Sequence, residues 1–329
     1  MSASKQTRVG MILLGILVLV AMLAPVVAPN PPQDQFDESA GRHLPPLTSK
    51  FAIRLDDGRG RLADAIEVLP DGVRIERLGR SEFIPFESMS ATSRSDPSRR
   101  RFYLLGTDKL SRDVWSRVAW GSRLSLAIGL SAALLAMFLG TTIGAIAASS
   151  NPWIDGILMR VVDGILMFPR IFLLLAISAT AARSTLAIVI VLGCTSWMSV
   201  SRLARAELLA MEHRGYVEAA RSTGLKPFKI FWRHKLPNAI QPVLVDTTLR
   251  IGDLILLEAA LSFLGLGVPP PTPSWGAIIN DGANHLVSAW WVSFFPGLAI
   301  AVTVIAFTCL GDGLRDRLDP RAFSRLKLR

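Results

Sequence analysis

Residues 202–241 read RLARAELLAMEHRGYVEAARSTGLKPFKIFWRHKLPNAIQ, a basic, polar stretch between long apolar runs. Residues 204–222 contain a single glycine and no proline, and their apolar side chains recur at helical spacing, which predicts a surface helix. Gly224 is expected to cap that helix in a left-handed conformation, and Pro227 suits the first turn of a second short helix. Pro237 is expected to end the second helix. The stretch therefore predicts two short helices joined by a sharp turn.

This stretch resembles the EAA loop of the membrane subunits of bacterial ABC importers, and we call residues 202–241 the coupling segment. A Glu-Ala-Ala triplet is followed by glycine and then by Leu-Pro at the spacing of that motif, and a histidine before Leu-Pro resembles the peptide-importer branch. The matching positions are Glu218, Ala219, Ala220, Gly224, His234, Leu236 and Pro237. The resemblance implies a coupling helix that docks into a cleft of a cytoplasmic ATPase.

Each residue type in the motif has a physical reason. Consecutive alanines permit close backbone approach, glycine permits the tight turn, and Glu218 offers a carboxylate to a cation of the partner. The alternative is an amphipathic connector between two membrane helices, because Glu-Ala-Ala alone is a common helical tripeptide.

The composition is that of a membrane protein. Half of the 329 residues are hydrophobic, and the mean hydropathy is positive, which excludes an ordinary soluble domain. The two cysteines, Cys194 and Cys309, lie in apolar runs, so we expect neither a disulfide framework nor a cysteine metal site. The net charge of +10 flanks apolar segments without a nucleic-acid motif, so the expected partner is a lipid bilayer and not nucleic acid.

Six apolar segments are predicted to cross the membrane, and the first has the length of about 20 residues that crosses a hydrocarbon core of roughly 30 Å. The predicted spans are residues 9–28, 124–148, 157–180, 186–200, 242–266 and 290–310. Lys5 and Arg8 precede the first, so a cleaved signal peptide is its competing interpretation. The third is interrupted by Asp163, Pro169 and Arg170. Glycines 129, 140 and 144 in the second are expected to allow close helix packing.

The distribution of Lys and Arg predicts the orientation. Eight of these residues lie in the coupling segment and six more beyond residue 314, whereas residues 267–289 contain none. Basic residues remain on the cytoplasmic side, so both termini and the coupling segment are expected there. With the resemblance, this implies a multi-pass protein of the bacterial inner membrane.

Residues 30–103 form a polar region between the first two predicted spans. Residues 51–55, 65–69, 73–78 and 83–86 alternate as short strands do, and Pro70-Asp71-Gly72 supplies a turn. A small β-rich insertion on the outer face is expected. Contact with a substrate-delivering protein and a passive cap over the membrane domain are both open as its role.

Other stretches are similar to the dipeptide, oligopeptide and nickel permeases. Gly106-Thr107-Asp108 and Arg112-Asp113 match the segment before their second span, except that Ser111 stands where a glycine is usual. Residues 258–276 and 310–321 match the end of their fifth span and their C-terminus. The resemblance therefore covers residues 104–321 and leaves the insertion outside.

Residues 104–126, which precede the second span, also suit an interfacial elbow without a direct catalytic or binding role. Trp115 and Trp120 alternate with arginines there, a pattern typical of an amphipathic helix at headgroup level.

Charged residues within the predicted spans are costly and require partners. Asp246, Arg250 and Asp253 are spaced to neutralise one another on one helix face. Glu258 has no such cation on its helix and is our candidate for lining the translocation path. Arg170 has no explanation at this level.

Motifs for chemistry are missing from the sequence. It contains no Gly-x-x-x-x-Gly-Lys-Ser/Thr loop, no nucleophile elbow and no histidine spacing for a metal. We therefore expect a transport subunit without an ATPase site, which is not an enzyme and binds no cofactor, metal or catalytic substrate. ATP and Mg are expected on the partner ATPase subunits.

The predicted fold is an all-α polytopic membrane protein with six transmembrane helices in a type I ABC importer-like permease fold. A small β-rich extracytoplasmic insertion is expected between helices 1 and 2. The expected parts are the N-terminus and first helix (1–29), the insertion (30–103), a permease core with five helices and the coupling segment (104–312), and a basic cytoplasmic tail (313–329).

The resemblance implies a C-type permease subunit of a binding-protein-dependent importer for dipeptides, oligopeptides or a related solute such as nickel. Its implied partners are a second homologous permease subunit, two cytoplasmic ATPase subunits and an extracytoplasmic solute-binding protein. Two alternatives are a stand-alone secondary transporter driven by an ion gradient and a non-transporting membrane scaffold or receptor.

Overall fold

The computed structural model describes residues 3–180 and 183–318, and these form twelve α-helices and six β-strands. The helices are α1 (Ala3–Val27), α2 (Ala91–Ser95), α3 (Val114–Ser149), α4 (Pro152–Leu166), α5 (Arg170–Thr180), α6 (Thr185–Cys194), α7 (Trp197–Met211), α8 (Gly215–Ser222), α9 (Pro227–Ile230), α10 (Leu236–Phe263), α11 (Trp275–Gly282) and α12 (Trp291–Leu318). The strands are β1 (Thr48–Arg54), β2 (Gly60–Ala63), β3 (Ala65–Leu69), β4 (Gly72–Arg77), β5 (Arg80–Pro85) and β6 (Arg100–Tyr103). Most of the expected basic tail, residues 319–329, lies outside the described residues.

Three helices of the described part are long and apolar enough to cross a membrane: α1 over Lys5–Val27, α3 and α12. Two bent pairs, α4 with α5 and α6 with α7, raise this number to five if each pair is one span. The fifth predicted span corresponds to α10, which has 28 residues and contains the four charged side chains Asp246, Arg250, Asp253 and Glu258.

The predicted third span is not one straight helix. Helices α4 and α5 meet at an angle of 85°. The chain breaks just before Pro169, since proline disfavours helical conformation in the residue before it and cannot donate a hydrogen bond to the preceding turn. The carbonyl of Pro169 instead accepts from the N–H groups of Phe172 and Leu173, which starts α5. The fourth predicted span is likewise two helices, α6 and α7, at 43°.

The helix predicted around Trp115 and Trp120 is present, but it forms no elbow before the second span. Trp115 and Trp120 lie in the first turns of α3, which runs without a break for 36 residues. Asp113 caps it by accepting a hydrogen bond from the N–H of Trp115 at 3.1 Å. No proline interrupts the sequence between this cap and the apolar part, so one helix continues.

Glycines bring α3 close to its neighbours, as the sequence predicted. A Cβ atom built on Gly140 would lie 2.5 Å from Cβ of Val200, and one on Gly144 would lie 2.5 Å from the carbonyl oxygen of Ser201. A Cβ on Gly129 would lie 2.3 Å from the side chain of Ile255 in α10. The main hydrophobic core forms where α3 packs against α6, α10, α11 and α12, and the contact of α3 with α7 belongs to a smaller cluster that includes Val200 and Ala204.

The six strands lie between α1 and α3 in two antiparallel sheets, ordered β2-β1-β6 and β3-β4-β5. Pairs such as Phe51 with Ala63 and Val73 with Ile84 set the register of the two sheets. The sheets bury a shared cluster that includes Ile53, Val73 and Ile84. The side of the membrane on which this insertion lies remains a prediction.

Candidate functional site

The turn predicted at Gly224 is present. Gly224 has a φ of 79°, in the left-handed region where glycine is favoured. Its N–H donates to the carbonyl of Arg221 at 3.0 Å, and the N–H of Leu225 donates to the carbonyl of Ala220 at 3.3 Å. This pair of hydrogen bonds is a Schellman motif, which satisfies carbonyls that the end of α8 would leave free.

A small apolar cluster holds α8 against α9. It contains Val217, Ala220 and Ile230, all buried, with Leu225 packed against them. The second alanine of the Glu-Ala-Ala triplet is thus a packing residue, since a larger side chain would push the helices apart. Glu218 and the first alanine are exposed beside it.

The single helix predicted for residues 204–222 is two helices. Helix α7 ends at Met211 and α8 begins at Gly215. Glu212, in the break, accepts hydrogen bonds from Lys235 and Arg221. Both hydrogen bonds lower the pKa of the Glu212 carboxyl group, and the one from Lys235 has the larger effect. Apolar spacing continues across the break, so periodicity could not reveal it.

Pro237 does not end the second helix as predicted. Helix α9 continues through one π turn, Phe231–Lys235, directly into α10, and Pro237 lies in the first turn of α10, where a missing N–H costs little. His234 and Leu236 are half-buried on this junction, and the carbonyl of His234 accepts a hydrogen bond from Asn238 at 2.7 Å. The end of the coupling segment and the long helix α10 therefore form one continuous helical rod.

An aromatic face of the coupling segment is exposed. Phe228 is 75% exposed and Trp232 55% exposed, with ring centroids 6.1 Å apart. Tyr216 and Glu218 are also exposed on this segment. Exposed aromatic groups of this kind are typical of protein interfaces. Of the four large apolar side chains Phe228, Ile230, Phe231 and Trp232, Ile230 alone is buried in the part of the chain that the structure describes.

Glu258 lies at the other end of α10, buried within a cluster of serines. Its carboxylate accepts hydrogen bonds from Ser262 at 2.7 Å and from Ser125 of α3 at 3.3 Å. Ser274, which caps α11, donates to Ser262 at 3.3 Å, and the N–H of Trp275 donates to Ser125 at 3.3 Å. One carboxylate therefore connects α3, α10 and α11.

A family model confirms the resemblance carried by these residues. Residues 140–324, which include the coupling segment, match the family "Binding-protein-dependent transport system inner membrane component". This chain belongs to that family. Residues 3–46 also match "N-terminal TM domain of oligopeptide transport permease C", so the permease carries both sequence signatures.

Curated relatives of this permease have names from peptide transport. It is 44% identical to a putative peptide transport system permease protein of Brucella suis, over 67% of this chain and 74% of that protein. It is 42% identical to the glutathione transport system permease protein GsiD of Pectobacterium atrosepticum (66% and 72%) and 37% identical to the dipeptide transport system permease protein DppC of Alkalihalophilus pseudofirmus (73% and 80%). An inward-facing structure of the methionine transporter MetNI matches with a TM-score of 0.49 at 20% identity, over 62% of this chain and 96% of the matched chain.

Arg170 of the permease, which the sequence left unexplained, bridges both bent helix pairs. Its Nη2 donates to Oγ of Ser196, between α6 and α7, at 2.5 Å. Its Nε is buried and has no hydrogen-bond partner among the residues described. Arg250 lines the same cavity of about 230 Å³ and pairs with Asp246 at 2.5 Å, as predicted. The predicted Arg250–Asp253 ion pair is not formed.

Sequence reasoning missed a buried charge cluster at the start of α3. Asp108 pairs with Arg112 at 2.7 Å and with Arg117 at 2.5 Å. Asp281 of α11 pairs with the same two arginines at 2.8 and 3.0 Å. Burial favours a raised pKa of Asp281, but Arg117 and further cations lower it below its ordinary value. The motif at residues 106–113 contains three members of this cluster or its surroundings and could have signalled it. Asp281 could not be identified from spacing, because it lies 169 residues after Arg112.

No group of three or more His, Cys, Asp or Glu side chains within residues 3–180 and 183–318 is arranged to hold a metal ion.

Proposed function

We propose that this permease moves peptides, either dipeptides or oligopeptides, or a related small solute such as nickel across the bacterial inner membrane. The names of its relatives and its match to the oligopeptide permease N-terminal domain support a peptide cargo. ATP hydrolysis on partner subunits would drive transport through the coupling segment. The continuity of that segment with α10 is the observation that carries this proposal.

The exposed aromatic face of the coupling segment is the proposed docking site for an ATPase subunit. Phe228 and Trp232 would fill an apolar cleft, and Glu218 would meet a cation at its rim. The pair of short helices that carries these groups would be shaped by the other motif residues, which are Ala219, Ala220, Gly224, His234, Leu236 and Pro237. ATP and Mg would bind to the two ATPase subunits and not to this chain.

Movement of the docked segment would travel along α10 as a rigid rod. Leu236 and Glu258 are 22 residues apart, or about 33 Å along a helix axis. A tilt of the rod would act on the contacts between Glu258, Ser125 and Ser262. Glu258 is buried in this state, so its proposed place on the translocation path requires a second state in which the serine cluster opens.

The proposed assembly contains a second homologous permease subunit, two ATPases and an extracytoplasmic solute-binding protein. Helix α10 would complete the six spans as the fifth in chain order, because its charged side chains would face a path or a partner subunit rather than lipid. Both termini and the coupling segment would be cytoplasmic. The parts 1–29, 30–103, 104–312 and 313–329 would then be the first span, the outer insertion, the permease core and the basic tail.

Uptake and ATP hydrolysis measured together test the coupling role. Gly224→Pro and Glu218→Lys should leave the permease in the membrane at normal levels and should uncouple hydrolysis from peptide uptake. Glu87→Lys is the matched control, because Glu87 is an exposed carboxylate in the insertion. Normal uptake in both test variants would remove the coupling role. Uptake that survives ATP depletion would instead support an ion-gradient-driven transporter.

Thiol labelling tests the proposed place of Glu258. In a permease whose Cys194 and Cys309 are replaced by serine, Glu258→Cys should react with a water-soluble thiol reagent during turnover and remain protected at rest. Ser125→Cys is a second probe of the same cluster. A thiol that remains protected during active transport would exclude Glu258 from the path.

A further inference from the structure

A cavity of about 430 Å³ opens where the end of α1 meets the first sheet of the insertion. Its lining includes Pro29 and Asn30 from the chain after α1, Arg54 from β1, and the three arginines 99–101 at β6. Hydroxyl groups of Ser90 and Thr92 lie on the α2 side. We call this cavity the arginine groove.

The arginine groove has an excess of positive charge. Asp34 pairs with Arg101 at 2.7 Å and with Arg54 at 2.8 Å. Arg99 and Arg100 are exposed and form no ion pair with any side chain that the structure describes. One carboxylate therefore serves four guanidinium groups, which leaves a site suited to an anion.

One aromatic ring holds two of these guanidinium groups in place. The Cζ atom of Arg101 lies 4.0 Å from the ring centroid of Phe36, which lines the groove, and that of Arg54 lies 5.2 Å from the same ring. A guanidinium stacked on a ring keeps its N–H edge available for hydrogen bonds. The groove therefore presents oriented donors, and the geometry suits the oxygens of a phosphate group.

Several contacts hold the groove beside the end of α1 and the start of α3. Val26, in the last turn of the apolar helix α1, is 81% exposed, as expected for a side chain within the bilayer. Trp115 of α3 donates from its indole to the carbonyl of Val27 at 2.9 Å. Asn30 donates to Asp113, the cap of α3, at 3.0 Å. The two spans thus end at a common level, directly below the lining residues, where lipid headgroups lie.

We propose that the arginine groove binds the headgroup phosphate of an anionic phospholipid and so anchors the insertion to the membrane. Arg99 and Arg100 supply the free charge, while Arg54 and Arg101 remain paired with Asp34. Phe102, which follows Arg101 in β6, is 48% exposed and offers apolar surface to the part of an acyl chain nearest the headgroup. This proposal depends on α1 spanning the membrane and is independent of the cargo.

Retained lipid is the measurement that tests this. The full-length permease is reconstituted in vesicles with equal amounts of phosphatidylglycerol and phosphatidylcholine, purified and washed with detergent. The lipid that remains bound is then measured by mass spectrometry. We compare the wild type with Arg99→Gln/Arg100→Gln and with the matched control Arg59→Gln/Arg80→Gln. The control removes the same charge from exposed arginines of the insertion outside the groove.

The wild type and the control should retain phosphatidylglycerol preferentially, and the groove variant should retain about tenfold less. Equal retention in the groove variant and the wild type would overturn the proposal. Displacement of the lipid by excess inorganic phosphate would reassign the groove to a soluble anion. If the groove variant retained lipid normally but no longer bound the extracytoplasmic solute-binding protein, the arginine groove would be reassigned to that partner. Unchanged melting temperatures would show that the variants are folded.

Discussion

Lys235 donates a hydrogen bond to Glu212, 23 residues earlier in the chain, and this ion pair fixes the start of α10 against the end of α7. Arg221 of α8 contacts the same carboxylate. The position of α8 and α9 relative to the membrane helices therefore depends on one acidic side chain, Glu212, at the break between α7 and α8.

Replacing Glu212 with Gln should weaken the transmission of movement from the coupling segment. The pair is partly exposed, so its loss should cost about 1 kcal/mol or less, enough to lower peptide uptake per ATP hydrolysed by up to roughly fivefold. Parallel uptake and ATPase assays in proteoliposomes measure this ratio. Glu87→Gln is the control, and an unchanged ratio in Glu212→Gln would contradict the prediction.

Gly224→Ala should destabilise the end of α8 by about 1 kcal/mol, because alanine is strained at a φ of 79°. A Cβ atom at this position would contact nothing within 4 Å, so the cost comes from the backbone alone. Gly215→Ala is the matched control, since that glycine is equally open and begins the same helix. Thermal unfolding and protease sensitivity of the loop measure the difference. Equal behaviour of the two variants would contradict it.

Ser111→Gly should stabilise the permease. Ser111 has a φ of 61° at the position where similar permeases usually have glycine, and its hydroxyl is buried without a partner among the described residues. Relief of the strain and of the unsatisfied hydroxyl should exceed the entropy cost of glycine by about 1 kcal/mol. We expect a small rise in Tm in detergent. A fall in Tm would show that the hydroxyl contributes an interaction.

Gly144→Val should separate α3 from α7, because a Cβ there would lie 2.5 Å from the carbonyl oxygen of Ser201 and 2.9 Å from Ala204. The cost should be several kcal/mol, since neither backbone has room to shift in a packed core. Gly156→Val is the matched control, because a Cβ at that helical glycine contacts nothing within 4 Å. Folded yield and Tm distinguish the variants, and equal values would contradict the packing argument.

Acid should weaken the charge cluster at the start of α3. The pKa of Asp281 is lowered in the folded state from an ordinary value of 3.8, so its contribution to stability is present above that pH and is lost as the pH falls through the folded pKa. Asp281→Asn should therefore lower Tm at neutral pH and reduce its dependence on pH below about 4. A pH series of thermal melts measures both, and an unchanged slope would contradict this role.

Several local features could be predicted because each depends on neighbours in the chain. The left-handed turn at Gly224, the long apolar helices α1 and α12, and the close approach at Gly140 and Gly144 are all present. The family was also confirmed. The coupling roles of the motif residues and the path role of Glu258 stay predictions.

The errors share one cause, which is that apolar periodicity does not reveal a change of direction. The interruption predicted at Pro169 is present, but the sequence could not show that it is an 85° bend. Pro237 was expected to stop a helix, but it starts a longer one, because proline suits a first turn as well as a terminus. Likewise, Trp115 marked an interfacial elbow in the sequence and belongs to α3 in the structure.

The sequence by itself determined a membrane protein with a basic segment that turns sharply at Gly224, because composition and turn chemistry are local properties of the chain, and its motifs resembled those of an ABC-importer permease. Only the tertiary structure decided that this segment continues into α10, that Glu258 is surrounded by serines from three helices, and that Arg112 and Arg117 meet Asp281. These relationships depend on packing between distant segments. A buried charge takes whichever partner the fold brings within a few ångströms, and linear spacing does not contain that information.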